Sequence, residues 1–497
     1  MGYEDALASI AAPFLVSERL GAVLGDGGGR QRKGACSVTR TDSTDSNGDW
    51  SGFTPALVLC VDIGQPIPAL SPIHPASGRR YRRAVCFVRL HTQLLGTVDL
   101  PLAEEGLSGP EWADKIWSAL AGPINNHLRE DGLAPLSALP ETGIPEVRLP
   151  RCLEVVRNLL ADPPLVSVVV STRDRPETLQ RCLRSILSLA YPNYEVIVVD
   201  NAPRTSATRE LVSHLVADQP RKLRYVQEDR PGLSSARNRG LAESTGSLIA
   251  FTDDDVIVDR HWLTNLVAGF RWAPSVACVT GNILPLELET PAQAWMEQSA
   301  GFSKGSVRTI YDLEEHRPPG PLYPYTAGVF GSGANLAFAI PVLREIGGFD
   351  PALSVGTEAR GGEDLAAFFA IVTRGYRLVY EPSAIVQHQH YREFRQLRNQ
   401  VYGYGIGLTA YLTKCLWDEP SRMLEILRRV PQGIAFVAKR QSQRDRINMA
   451  AYSRDLAGVE LRGMAYGPFA YLRSRWRARR QANALNLIPL PKERRRP

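Results

Sequence analysis

Between residues 165 and 252 the chain alternates two hydrophobic rhythms. Short, nearly continuous apolar runs at 166–170, 195–199, 223–227 and 247–252 are separated by stretches at 176–189, 206–217 and 234–244 whose apolar residues recur at helical spacing. Apolar runs of this length, each followed by an amphipathic stretch, predict buried strands joined by crossover helices: an α/β fold with a mostly parallel sheet flanked by helices. Upstream, 84–90 and 95–100 read as paired strands. A helix is predicted over 111–129, with Trp112, Ile116, Leu120 and Ile124 on one face. From 396 onward the pattern is helical and amphipathic, with no strand signal.

Punctuation sets the domain limits. Gly25–Gly29 and the polar run at 42–48 bury too little to order themselves, so 1–50 reads as a flexible N-terminal segment. No Lys-Ser or Lys-Thr follows those glycines, which argues against a phosphate loop. Residues 51–150 read as a small α+β domain of unknown role, without a catalytic constellation. Pro163-Pro164 opens the α/β domain, 163–395, and 396–497 forms a helical extension with a basic tail.

Composition narrows the class. A chain of 497 residues with 44% hydrophobic and 22% charged residues has the balance of a globular protein with a large core. Its seven cysteines are scattered without a CxxC pair, so a disulfide framework or zinc knuckle is not expected and a reducing cytoplasm is. No apolar stretch reaches membrane-spanning length. The N-terminus has neither a basic signal-peptide region nor, with Ala6, the myristoylation pattern. Charge is concentrated at one end: 471–497 holds nine Lys/Arg and one Glu, a balance of +8 within a chain whose total is +6. Such a tail suits an anionic membrane surface, which implies a cytoplasmic protein lying peripherally on the inner face of the membrane. No nucleic-acid partner is expected.

The chemistry sits just past the strands. Asp253-Asp254-Asp255 ends the run at 247–252. Three adjacent carboxylates repel one another and are costly to desolvate, and a divalent cation removes that cost. Alternate residues of an extended chain share a face, so Asp253 and Asp255 form one site while Asp254 points away. The Asp-x-Asp pair suits a hard cation, Mn²⁺ or Mg²⁺, completed by substrate phosphates. Ligands of open parallel sheets bind at the carboxyl ends of the strands. There the other strands deliver Asp200 and Asp229 as acceptors for a ribose and base, and Arg173 and Arg237 as donors to phosphate. Acceptors, cations and a metal pair converging on one edge indicate a nucleotide–metal site.

Residues 165–395 resemble the family 2 glycosyltransferases of GT-A fold, of an actinobacterial type with an extra N-terminal domain. The resemblance rests on Val166–Arg175, Glu195–Asn201, Gly232–Gly240, the aspartate triplet, Gly331–Phe338, Gly347–Asp350 and Gly361–Asp364, in family order. It implies transfer of a sugar from a UDP-, GDP- or dTDP-sugar, with inversion and a divalent metal, to a glycan, lipid-linked or small-molecule acceptor. It implies that Asp255 is the direct metal ligand and that Asp253 contacts the ribose or a metal-bound water. Asp200 would bind the base in a pocket lined by Thr172 and Arg175. Glu363-Asp364 could simply favour a helix dipole; family position makes Asp364 the general base, with Glu363 beside it. Many relatives carry another acid two residues further on, where this chain has Ala366. His388 or His390 would complete the metal shell, His388 first. Gly333 and Asn335 are expected in the acceptor wall. Tyr325 could stack on an acceptor sugar, although it and its aromatic neighbours also read as core. The loop 356–362 is expected to close over bound donor. Two rival readings are a sugar-nucleotide nucleotidyltransferase and a non-catalytic nucleotide-sugar-binding protein. The first needs a glycine-rich loop after the first strand, and 171–176 has no glycine.

Overall fold

The computed structural model describes residues 53–145, 148–218, 222–300, 302–426, 428–429, 431–433 and 450–484. The predicted N-terminal segment, and Lys492 to Arg496 of the basic tail, lie outside them.

The described residues form two sheets. The smaller consists of β1 (Leu57–Asp62), β2 (Arg83–Leu90) and β3 (Gln93–Pro101), with β1 parallel and β3 antiparallel to β2. Helix α1 (Gly109–Glu130) covers it, burying Trp112, Ile116, Leu120 and Ile124 as their spacing predicts. A capping box between Ser108 and Glu111 starts this helix. Helix α2 (Arg151–Ala161), which the hydrophobic pattern left unassigned, leads into the large sheet.

The large sheet begins with the predicted alternation: β4 (Val166–Thr172), α3 (Pro176–Leu187), β5 (Tyr194–Asn201), α4 (Ala207–Asp218), β6 (Leu223–Glu228), α5 (Leu233–Glu243) and β7 (Leu248–Asp253). Then come β8 (Val256–Val258), α6 (Trp262–Gly269), β9 (Val276–Pro285), α7 (Pro291–Ala300), β10 (Thr309–Tyr311), β11 (Asn335–Ala339), α8 (Ile340–Glu345), α9 (Glu363–Thr373) and β12 (Arg377–His388). Strand order is β10-β12-β9-β11-β7-β4-β5-β6, with β8 on β12. Strands β7, β4, β5 and β6 are mutually parallel. Strand β11 runs antiparallel between β7 and β9. Val166, Val168, Val169 and Val170 are fully enclosed, each contributing roughly 1.5–3 kcal/mol by leaving water.

Two long helices follow, α10 (Phe394–Asp418) and α11 (Ala450–Ala484). They pack backbone to backbone along a glycine seam. A β-carbon on Gly405 would lie 2.2 Å from the Glu460 carbonyl oxygen, and one on Gly463 would lie 2.4 Å from that of Tyr402. Thr409 Oγ1 crosses the seam to donate to the Met464 carbonyl at 2.8 Å.

The small sheet is seated on the large one. Val85, Phe87 and Leu94 pack with Leu284, Leu288 and Ile385, and Arg89 reaches Asp259 at 2.7 Å.

Candidate active site

Strand register builds the site. Ser171 lies opposite Asp253, and Thr172 opposite Asp200, so three neighbouring strands end their carboxyl sides together. On the other flank β12 pairs with β8 so that His388 is level with Val256, directly after the aspartate triplet. Asp253, Asp255 and His388 thereby turn one donor atom each into a space where all lie within 4.8 Å of one another. His388 Nε2 is 3.4 Å from Asp255 Oδ1, and that oxygen is enclosed with no hydrogen-bond partner. Burial lowers the His388 pKa, against the pull of the Asp255 charge, and so favours the neutral imidazole that binds metals. Two carboxylates, a neutral imidazole and an orphaned oxygen make a donor set that fits a divalent cation.

Asp254 points to the opposite side, as strand alternation requires, but it is not idle. It accepts from Thr172 Oγ1 at 2.6 Å and from Arg175 at 2.8 Å. Burial raises its pKa to about 6, even against the Arg175 charge. Arg175 also reaches Asp255 at 3.1 Å. This clasp fixes the turn that presents the other two aspartates.

Arg237 is the second organiser. The side chain is nearly enclosed and touches Glu363 at 3.1 Å, the Gly333 carbonyl at 2.9 Å and Asp253 at 3.4 Å. Across it the Gly333 N–H donates to Asp364 Oδ2 at 2.8 Å. Burial, reinforced by the Asp364 charge, raises the Glu363 pKa to about 7, and Arg237 opposes the shift. Gly362 makes this arrangement possible. It sits at φ +95° before α9, and a β-carbon there would meet the Gly407 carbonyl oxygen at 2.6 Å. Asp364 therefore starts its helix with one carboxylate oxygen on the Gly333 N–H, the residue whose carbonyl Arg237 holds beside Asp253.

Other sequence-predicted residues fall elsewhere. Asp200 is fully enclosed, with Tyr225 donating to Oδ2 at 3.0 Å and Oδ1 unpartnered. Thr172 is buried and committed to Asp254. Asp229 is exposed and accepts from Gln227, while exposed Arg173 lies near Asp174. Arg237 has its partners inside the protein and presents no free face to a phosphate. The structure removes Asn335 from the acceptor wall: it is fully enclosed, accepting from Trp262 Nε1 at 2.8 Å and donating to the carbonyls of Asn282 and Ala384. Tyr325 is likewise core, stacked on Phe369. His390 is not part of the triad but lies behind it, with Nδ1 3.2 Å from His388 Nδ1 and Nε2 3.2 Å from Glu297. The loop at 356–362 is tethered: Leu233 N–H donates to the Val355 carbonyl, and Glu358 pairs with Arg473 and Arg477.

Sequence reasoning missed an aromatic wall beside the triad. Phe302 lies 5.7 Å from the His388 ring and 5.8 Å from the His390 ring, with exposed Tyr404 edge-on at 6.4 Å. Its members come from three separate segments, so spacing gave no signal.

Residues 167–318 match the profile described as glycosyl transferase family 2, and this segment carries the aspartate triplet, its clasp and Arg237. Over that segment, under a third of its length, the chain is similar to glycosyl transferase family 2. It is 29% identical over 241 residues to a pre-mycofactocin glycosyltransferase of Mycobacterium tuberculosis, covering 48% of this chain and 46% of the relative. It therefore spans about half the length of that relative. A glucosyl-dolichyl phosphate glucuronosyltransferase of Haloferax volcanii is 25% identical over 232 residues, covering 45% of this chain and 69% of the relative. Among solved structures, the mannosyltransferase PcManGT of Pyrobaculum calidifontis, in complex with GDP-Man and Mn²⁺, superposes with a TM-score of 0.40 at 19% identity. That superposition covers 62% of this chain and 93% of the other.

Proposed function

We propose that this chain is a family 2 glycosyltransferase, which transfers a sugar from a nucleotide-sugar donor to an acceptor hydroxyl with inversion and with a divalent cation. The observation that carries the proposal is Arg237, which touches Asp253 of the Asp253–Asp255–His388 triad, Glu363 and the carbonyl of Gly333, the residue whose N–H holds Asp364. Asp253, Asp255 and His388 would hold the cation, which when bound stabilises negative charge on the departing nucleoside diphosphate. Asp364 takes the proton from the acceptor hydroxyl. Gly333 N–H orients that carboxylate, leaving Oδ1 toward its own helix start, where it accepts from Leu365 N at 2.8 Å. The aromatic face of Phe302 and Tyr404 is the acceptor-side wall in this reading, the role that Asn335 and Tyr325 cannot fill.

The test is a panel of UDP-, GDP- and dTDP-sugars with Mn²⁺, read as released nucleoside diphosphate. Turnover is expected with one donor class and should fall on the order of 10²–10⁴-fold in Asp364→Asn. It should be abolished in Asp255→Ala. Undiminished turnover in Asp255→Ala would sink the reading.

The C-terminal helix supports a second, compatible proposal: contact with an anionic membrane surface. Among the described residues no helix is long and apolar enough to cross a membrane. On α11, Leu461, Phe469, Leu472 and Trp476 are all exposed. At 100° per residue they fall within a stripe about 80° wide, a layout of helices that lie in a membrane interface. Arg479 and Arg480 sit beside that stripe, with Arg480 stacked over Trp476.

A further inference from the structure

The small N-terminal domain carries a second polar cluster, far in sequence from the catalytic residues. His91, His127, Asp131 and Cys152 each offer one donor atom to a common point, all four within 4.8 Å of one another. His91 Nδ1 is 3.2 Å from His127 Nε2 and 2.9 Å from Asp131 Oδ2. His127 Nε2 is 3.2 Å from the same oxygen, and Cys152 Sγ is 2.9 Å from it and 4.0 Å from His127 Nε2. The residues come from three places: the β2–β3 turn, the end of α1 and the start of α2. Their spacings in sequence, 36, 4 and 21, match no metal motif, and an isolated thiol gave the sequence reading no reason to expect one.

We propose that these four side chains bind a transition-metal ion, Zn²⁺ by ligand type, in a closed structural site. Zinc at about 2.0–2.1 Å from nitrogen and 2.3 Å from sulfur, in a tetrahedron, sets donor–donor edges of roughly 3.3–3.6 Å. The observed separations scatter around those edges. Without a cation the cluster is poorly satisfied: two imidazoles and a thiol all converge on one carboxylate oxygen, which has two lone pairs. Two histidines, a carboxylate and a thiolate are zinc ligands, and four protein donors leave no open position for substrate.

Three local features point the same way. His91 and Thr92 form a two-residue hairpin turn at φ +51° and +73°, where Asn-Gly is the usual choice. A β-branched residue at positive φ is strained, and the turn bears that cost while aiming His91 inward. Asp131 is the C-cap of α1, an acid placed against the negative end of the helix dipole, where a cation would reverse the penalty. Cys152 lies in the first turn of α2, with its thiol turned onto the same carboxylate oxygen as the two imidazoles. The side chains of His91 and Asp131 are 2% and 3% exposed, so the site is walled by protein and not a surface chelate.

Bound metal would staple the β2–β3 turn, α1 and α2 together, and α2 runs directly into β4 of the catalytic sheet. The experiment is elemental analysis of the full chain purified without added metal. One zinc per chain is expected in the wild type and in Asp255→Ala, which separates this site from the active-site cation. Zinc should be lost from His127→Ala and from Cys152→Ala. Because those variants could misfold, the wild type is also stripped with a strong chelator and dialysed against cobalt chloride. A thiolate-to-cobalt charge-transfer band is expected, and zinc should displace it. Wild-type protein that binds neither metal stoichiometrically, or Cys152→Ala that keeps its zinc, would overturn the proposal.

Discussion

Single residues earn their place here by what they hold. Asp312, in the segment after β10, shows the energetic version of this. Burial alone would raise its pKa, but the His316 ring, the N–H groups of His316 and Glu314, and Arg377 hold it down at about 2. A folded-state value below the ordinary 3.8 means the carboxylate stabilises the protein above that pH and loses its contribution as pH falls from 3.8 toward 2. Asp312→Asn should therefore cost about 2 kcal/mol at neutral pH, and the difference from wild type should narrow in acid. Urea melts at several pH values measure both. At the strand ends, the grouping of Asp253 with Asp255 was legible because acids crowded there have few other structural explanations. Asn335 and Tyr325 misled for the opposite reason. A polar residue after a glycine-rich turn looks available, and only the tertiary fold reveals that Trp262 and two carbonyls have consumed it. The clasp role of Asp254 was equally hidden: strand alternation says which way it points but not that Thr172 and Arg175 wait there.

At the scale of elements, alternating apolar runs were enough to find β4 to β7 and the helices between them, because both faces of that half of the sheet are covered. The order of β9, β11 and β12 was not legible. Strand β11 enters antiparallel between β7 and β9, and β12 pairs with three different strands. Such pairings are decided by cross-strand fit over long sequence distances, which periodicity does not encode. The same holds for α10 and α11, whose helical character was evident while their glycine seam was not. Gly463→Ala should force the two backbones apart and destabilise the protein by ~1–3 kcal/mol, as overpacking does elsewhere. Thermal unfolding would register it. Gly458→Ala, on the same helix with open space around its α-carbon, serves as the control and should be neutral or stabilising.

For the whole molecule, charge and apolar surface are placed together at one end. If α11 rests on a membrane, the full chain should float with vesicles containing anionic phospholipid and should stay behind with neutral ones. Phe469→Asp with Trp476→Asp should release it, and raised salt should weaken binding. Flotation unchanged in that double variant would remove the proposal while leaving the catalytic reading untouched. Arg473 and Arg477 tie this helix through Glu358 to the loop before Asp364. The opposite relation holds for the N-terminal sheet. Its seat on Leu284, Leu288 and Ile385 means that a fragment starting at β4 would carry an exposed apolar patch on β9, β12 and the stretch just beyond β9. The α/β part of this chain is consequently not a unit that can be cut out clean: parted from the domain before it, it would hold an apolar face open to water.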